Sequence, residues 1–349
     1  MLNICFIGHF TAGGTECATF LVANGLSDKY NVSILNTCDR APSFNLDPSV
    51  KFDYLKTGCM PKRIIYLRKY LRENKIDVLI TVEAMTGVLS ILAAKTTRCK
   101  HVVWEHANFY QNQGSRWIQK IRQIELYIAD AYVVLTERDK NNFINNFKIK
   151  TNLEQIYNIA NQQSDHMYNM NSKTIISVGH LRKVKNFVVI PDVAKRVFAK
   201  HPDWNWEIYG DTKGDQYQLI KNKIDEFGLQ NHVLFRGRCT EMDTAYQQAS
   251  IYVMTSLQEG LPMVLLEAKS QKLPLVSFDI ETGPDEIIMD GVNGYLVPRY
   301  DIKIMAEKIC ELIENPSLRK LFSDNSGHGL ELFSQEVALK KWSALLNSI

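Results

Sequence analysis

Apolar runs of strand length recur along this chain, separated by amphipathic stretches of helix length. That alternation restricts the fold more than any other feature. The first half carries such runs at 4–8, 32–36, 78–82, 101–104, 131–135 and 155–159. The second half repeats the scheme at 174–179, 206–210, 233–237, 251–255, 275–278 and 295–297. Near-continuous apolar strands that alternate with helices form parallel sheets covered on both faces. Two such sets predict an α/β protein of two doubly wound domains. The polar, aperiodic stretch 160–171 puts the boundary there, with a first domain over 1–165 and a second over 166–333. The tail 334–349 reads as a separate helix, with Val337, Leu339, Trp342, Leu345 and Leu346 available for packing. Open α/β sheets bind ligands at the carboxyl ends of their strands, so two facing domains predict a central cleft.

Composition narrows the partners. Of the 349 residues, 45% are apolar and 23% charged, which suits soluble domains with real cores, and a net charge of +3 is too small to argue for nucleic acid. The seven cysteines form no C-x-x-C pair, so a reduced, cytoplasmic chain is expected. Met1, Leu2 and Asn3 run straight into the first strand without the pattern of a leader peptide. No apolar run reaches the length of a membrane span, so any membrane contact is peripheral, at the inner face. The stretch 61–72 supplies a candidate for it. Ile64, Leu67 and Leu71 fit one buried stripe, and the lysines and arginines face either anionic lipid or water.

The stretch richest in chemistry is Glu259-Gly260-Leu261-Pro262-Met263-Val264-Leu265-Leu266-Glu267-Ala268. Gly260 permits a sharp turn, and Pro262 suits the first position of a helix running to about Gln271. The free N–H groups of that helix favour an anion such as a phosphate. Glu259 lies in the turn and Glu267 one to two turns into the helix, so each meets a different part of one ligand. A solvated turn glutamate followed by an ordinary helical one fits the spacing equally well.

Other candidates sit after other strands. Gly13 and Gly14 follow the first, without the G-x-G-x-x-G dinucleotide fingerprint. Glu105 and His106 follow the fourth. Gly179-His180-Leu181-Arg182-Lys183-Val184-Lys185 opens the second half, and its basic side chains suit a phosphate. Arg236 falls in the block 232–238, Thr282-Gly283-Pro284 follows later, and 290–298 closes the series. There is no D-x-D pair and no histidine cluster with metal-ligand spacing.

In this order the blocks resemble the retaining glycosyltransferases of family 4, which have the GT-B fold of two Rossmann-like domains. The resemblance implies a UDP-sugar donor and no metal or cofactor. Glu267 would hold the ribose, Glu259 the sugar hydroxyls, and Lys185 and Arg182 the diphosphate. Gly179, Gly260, Leu261, Pro262, Met263 and Val264 would line the donor. Gly13 and Gly14 would approach diphosphate and acceptor, His106 the donor sugar, and Arg236 the uracil. His106, Glu259 and Lys185 are the expected catalytic residues. His180 departs from the pattern, which has an arginine there. The T-G-P form is similar to members that transfer hexoses or N-acetylhexosamines in surface-polysaccharide assembly, which implies a lipid-linked glycan acceptor. The resemblance also implies that the last helix returns to the N-terminal domain. Two rivals stay open: a UDP-N-acetylglucosamine 2-epimerase of the same architecture, and a non-catalytic partner subunit.

Overall fold

The computed structural model describes residues 1–349 except 12, 57, 113, 114, 213 and 214 and the side chain of residue 215. The chain divides into two compact units, Met1–Ile159 with Leu332–Ile349, and Ala160–Glu331. The division falls six residues before the boundary expected at 165, because Ile159 and Ala160 are buried while the polar stretch begins only at Asn161.

In the first unit, strands β1 (Asn3–Gly8), β2 (Asn31–Asn36), β3 (Lys51–Tyr54), β4 (Val78–Val82), β5 (Lys100–Trp104), β6 (Ala131–Val134) and β7 (Asn152–Gln155) form one sheet. Its order is β3-β2-β1-β4-β5-β6-β7, and every pairing is parallel. Helices α1 (Gly14–Ser27), α2 (Met60–Glu73), α3 (Ala84–Ala94), α4 (Ile118–Ile128) and α5 (Glu137–Asn146) connect the strands. All five residues of β4 are buried, as expected of a strand covered on both faces.

Two strand assignments differ from the sequence reading. The run 155–159 is not a strand: β7 ends at Gln155, and the buried Ile156 and Ile159 lie in the segment that leaves the sheet edge. Apolar character there marks burial rather than pairing. Strand β3 was not anticipated, because its sequence is charged and partly exposed, as edge strands commonly are.

The second unit holds β8 (Thr174–Val178), β9 (Asn205–Tyr209), β10 (Val233–Gly237), β11 (Ile251–Met254), β12 (Leu275–Phe278) and β13 (Gly294–Val297) in the order β10-β9-β8-β11-β12-β13. Its helices are α6 (Ile190–Phe198), α7 (Asp215–Glu226), α8 (Met242–Gln247), α9 (Met263–Ser270), α10 (Pro284–Ile287), α11 (Ile302–Glu314) and α12 (Pro316–Asp324). Helix α13 (Gln335–Ser348) then belongs to the first unit. Its Trp342 is fully buried against Trp104, with ring centroids 4.9 Å apart, and lies 6.5 Å from Phe6.

Each sheet has one switch point, where the winding direction reverses. It lies between β1 and β4 in the first unit and between β8 and β11 in the second. Crevices at switch points are where such sheets bind ligands.

Candidate active site

The second switch point is built by the loops after β8 and β11. Gly179 follows β8 with φ 155°. A Cβ on Gly210, after β9, would stand 1.9 Å from the Gly179 carbonyl oxygen, so glycine is needed there for the two loops to approach. Two hydrogen bonds tie the basic loop to the segment after β11. The Thr255 hydroxyl donates to the Lys185 carbonyl at 2.9 Å, and the Leu257 amide donates to the Val184 carbonyl at 2.8 Å. Lys185 is thereby set against Glu259, and its Nζ donates to Oε1 at 2.6 Å. The side chains are 21% and 13% exposed, so the pair is within reach of a ligand.

The turn at Glu259 is braced from the other side by the T-G-P block. The Thr282 hydroxyl donates to the Glu259 carbonyl at 2.6 Å. Gly283 has φ 104°, and a Cβ there would lie 2.5 Å from Pro262 Cδ and 2.8 Å from the Gly260 carbonyl oxygen. Pro262 is the N-cap of α9 rather than its first helical residue, because its backbone is extended (φ −75°, ψ 100°). Its carbonyl accepts from Leu265 at 3.0 Å. The amides of Met263 and Val264 precede that bond and are the orphan donors of the helix start. Leu261 is buried and holds the turn to the core.

Glu267 lies one turn into α9. The Tyr246 hydroxyl, from α8, donates to its Oε2 at 2.9 Å. Burial pushes the Glu267 carboxyl above its ordinary range, and the Tyr246 hydrogen bond opposes that. Tyr246 is fully buried with its own ionisation pushed well up, so it remains a donor. Sequence reasoning missed Tyr246 and, although it singled out the T-G-P block, did not foresee the contact of Thr282 with Glu259, since nothing in their spacing links them to the two glutamates.

The structure places the remaining candidates of this unit less centrally. Arg182 and His180 are exposed beside Lys185. Burial, then Arg182, Arg238 and Lys185, lower the His180 pKa, so the imidazole is neutral at pH 7. Arg236 is ion-paired with Glu207. It lines a concavity with Glu207, Tyr209, Arg238 and Thr240 that includes none of Lys185, Glu259 and Glu267.

In the first unit, Gly13 is the N-cap of α1 with an ordinary extended backbone. A Cβ there would meet nothing within 4 Å, so neither packing nor backbone demands glycine, and the space beside it stays clear. Gly14 begins α1, and residue 12 of the same loop lies outside the described residues. His106 packs its ring on Trp104, with centroids 4.5 Å apart. Its Nε2 is buried without a partner, and burial pushes its pKa down to about 3, so the ring is neutral. Glu105 turns the other way, into a fully buried ion pair with Arg122 at 3.0 Å, and is structural.

The family model for group 1 glycosyl transferases matches residues 158–328, and that for Glycosyltransferase Family 4 matches 12–163. An uncharacterized glycosyltransferase of Haemophilus influenzae is 31% identical over 96% of this chain and 97% of its own length. The chain belongs to the GT-B glycosyltransferases. The amylovoran biosynthesis glycosyltransferase AmsD of Erwinia amylovora is 28% identical to this glycosyltransferase over 99% of both chains. The crystal structure of Anabaena HepE in complex with UDP and glucose superposes on the glycosyltransferase with a TM-score of 0.87 over the whole of both chains, at 17% identity. That likeness carries the fold: two parallel-sheet, Rossmann-like domains. Among the described residues of the glycosyltransferase no group of His, Cys, Asp and Glu could hold a metal ion, and no helix is long and apolar enough to cross a membrane.

Proposed function

We propose that this glycosyltransferase is a retaining enzyme that moves a hexose or N-acetylhexosamine from a UDP-sugar to a hydroxyl of a lipid-linked glycan. The observation that carries the reading is the Lys185–Glu259 pair, held at the second switch point beside the start of α9. Lys185 and Arg182 take the diphosphate together with the Met263 and Val264 amides, and Glu259 takes hydroxyls of the donor sugar. Glu267, steadied by Tyr246, takes the ribose, and Gly179 lets the basic loop come close. Arg236 flanks the uracil. Gly13, Gly14 and the neutral His106 serve donor sugar and acceptor from the first unit. The acceptor oxygen bonds to the anomeric carbon on the face from which the diphosphate leaves, and the acceptor proton passes to the departing phosphate oxygen. Fixed cations and amides stabilise the charge that grows on that oxygen.

The test is UDP release from UDP-glucose, UDP-galactose and their N-acetylated counterparts, with and without a sugar acceptor, in excess EDTA. Acceptor-stimulated release that survives chelation is expected. Conversion of a UDP-sugar without any acceptor would favour the epimerase, and loss of activity restored by magnesium or manganese would refute metal independence.

A lipid-linked acceptor requires access to a membrane surface, and α2, α3 and α4 of the first unit support that reading. Arg68 and Arg72, which the sequence leaves facing either lipid or water, donate to the Leu92 and Thr96 carbonyls and tie α2 to the end of α3. Lys62 and Lys69 stay exposed. On α2, α3 and α4 the exposed apolar side chains include Ile65, Leu92, Ile124 and Tyr127, and Trp117 lies beneath the Lys120 ammonium. Salt-sensitive co-sedimentation with phosphatidylglycerol vesicles is expected. Each basic residue near such a surface contributes about 1 kcal/mol, so the charge reversals Lys62→Glu, Lys69→Glu and Lys120→Glu together should abolish it. Co-sedimentation unchanged by the triple reversal counts against this surface.

A further inference from the structure

We propose that Glu83 binds hydroxyl groups of the acceptor sugar at the switch point of the first sheet. The inference rests on the transferase reading and adds to it the residue that meets the acceptor. Glu83 directly follows β4, as the Glu259 turn follows β11, so each sheet presents a glutamate in the loop that flanks its switch point. Across the crevice lie Gly13, with clear space where a side chain would stand, and Thr15 in the first turn of α1.

The backbone of Glu83 is the second observation. It has φ 68° and ψ 135°, a conformation that glycine adopts readily and a glutamate does not. Strained residues of this kind persist where function holds them and the surrounding structure enforces them. The strain does not serve helix capping. Glu83 is the N-cap of α3, yet its side chain makes no cap hydrogen bond and instead accepts from the Thr15 hydroxyl at 3.4 Å.

The chemistry of the carboxyl suits a sugar. Burial, reinforced by the charge of Glu105, pushes it up to about 7. Near neutral pH it therefore populates both forms and can either accept from or donate to a hydroxyl. The residue is only partly buried, so a pyranose can reach it.

The experiment compares wild type with Glu83→Gln and Glu83→Gly. Acceptor probes are p-nitrophenyl α- and β-glycosides of glucose, galactose and their N-acetylated forms, assayed by UDP release. The KM for the best glycoside should rise by at least ~10-fold in both variants, the loss expected when a hydrogen bond to a charged group is removed. The Kd for UDP should stay within about twofold, because UDP does not meet Glu83. The Tm of Glu83→Gly should match or exceed that of wild type, since glycine relieves the backbone strain. Unchanged acceptor KM in both variants overturns the inference, as does a marked fall in Tm for Glu83→Gly, which would make Glu83 structural. Failure of every glycoside to stimulate wild type also overturns it, because the site then reads no pyranose. A wild type that releases no UDP from any UDP-sugar overturns the transferase reading as well, which separates the two failures.

Discussion

Replacing Lys185 by alanine should lower turnover by about 10- to 150-fold. A charge-assisted hydrogen bond lost in the transition state costs roughly 1.5–3 kcal/mol, and each ~1.4 kcal/mol is a factor of ten in rate. Lys185 Nζ also pairs with Glu259 at 2.6 Å, so the two act on the ligand as one unit. Arg182→Ala should fall in the same range. His180→Ala should lose less, since the imidazole is neutral and cannot make the two-pronged contact of a guanidinium. The two glutamates should separate in a binding assay. Glu267→Ala should weaken UDP binding, whereas Glu259→Ala should leave it nearly intact and lower turnover. Equal losses of UDP affinity in both variants would sink the division of roles. A silent Arg182→Ala beside a dead His180→Ala would show that the missing arginine charge has not moved to Arg182.

The second large effect concerns stability. Arg122 and Glu105 are paired at 3.0 Å with both side chains fully inaccessible. Glu105 also accepts from the Ala107 amide at 3.0 Å, and Arg122 donates to the Phe109 carbonyl at 2.7 Å. Next to them, burial and then Glu105 push the Glu125 carboxyl well above its ordinary range. Arg122→Met strands the Glu105 charge in this interior and should cost about 3–5 kcal/mol. For a unit of this size that is a fall in Tm of roughly 6–20 °C, at ~2–4 °C per kcal/mol. Adding Glu105→Gln should restore most of the loss, because the stranded charge is then gone. Thermal and urea melts of the single and double variants measure both. A single variant within ~1 kcal/mol of wild type would mean that Glu105 simply takes up a proton.

Much of the fold could be read from periodicity, since central strands buried on both faces leave continuous apolar runs. The failures came at the first sheet's margins. Residues 51–54 carry Lys51 and Asp53, which form an ion pair with each other at the solvent edge, so the strand has no apolar signature. Ile156 and Ile159 carry that signature without a partner strand. Lys185, Glu259 and Glu267 could be singled out as candidates because a local pattern carries each. Tyr246, and the bond by which Thr282 braces the Glu259 turn, could not, because they depend on contacts across 21 and 23 residues of chain. Glu83 looked like any polar residue ending a strand, and its backbone angle, its bond to Thr15 and its burial are visible only in the structure.

The return of the last helix has a consequence for how the chain is made. Residues 160–331 form an uninterrupted unit, so their sheet can assemble as soon as that stretch has left the ribosome. The first unit begins synthesis earlier, yet Trp104 and Phe6 gain Trp342 as a neighbour only after almost the whole chain has emerged. The half that is translated first is therefore completed last. Until then the aromatic surface that Trp342 covers is open, and exposed apolar surface of that kind is what makes partly folded chains prone to aggregate.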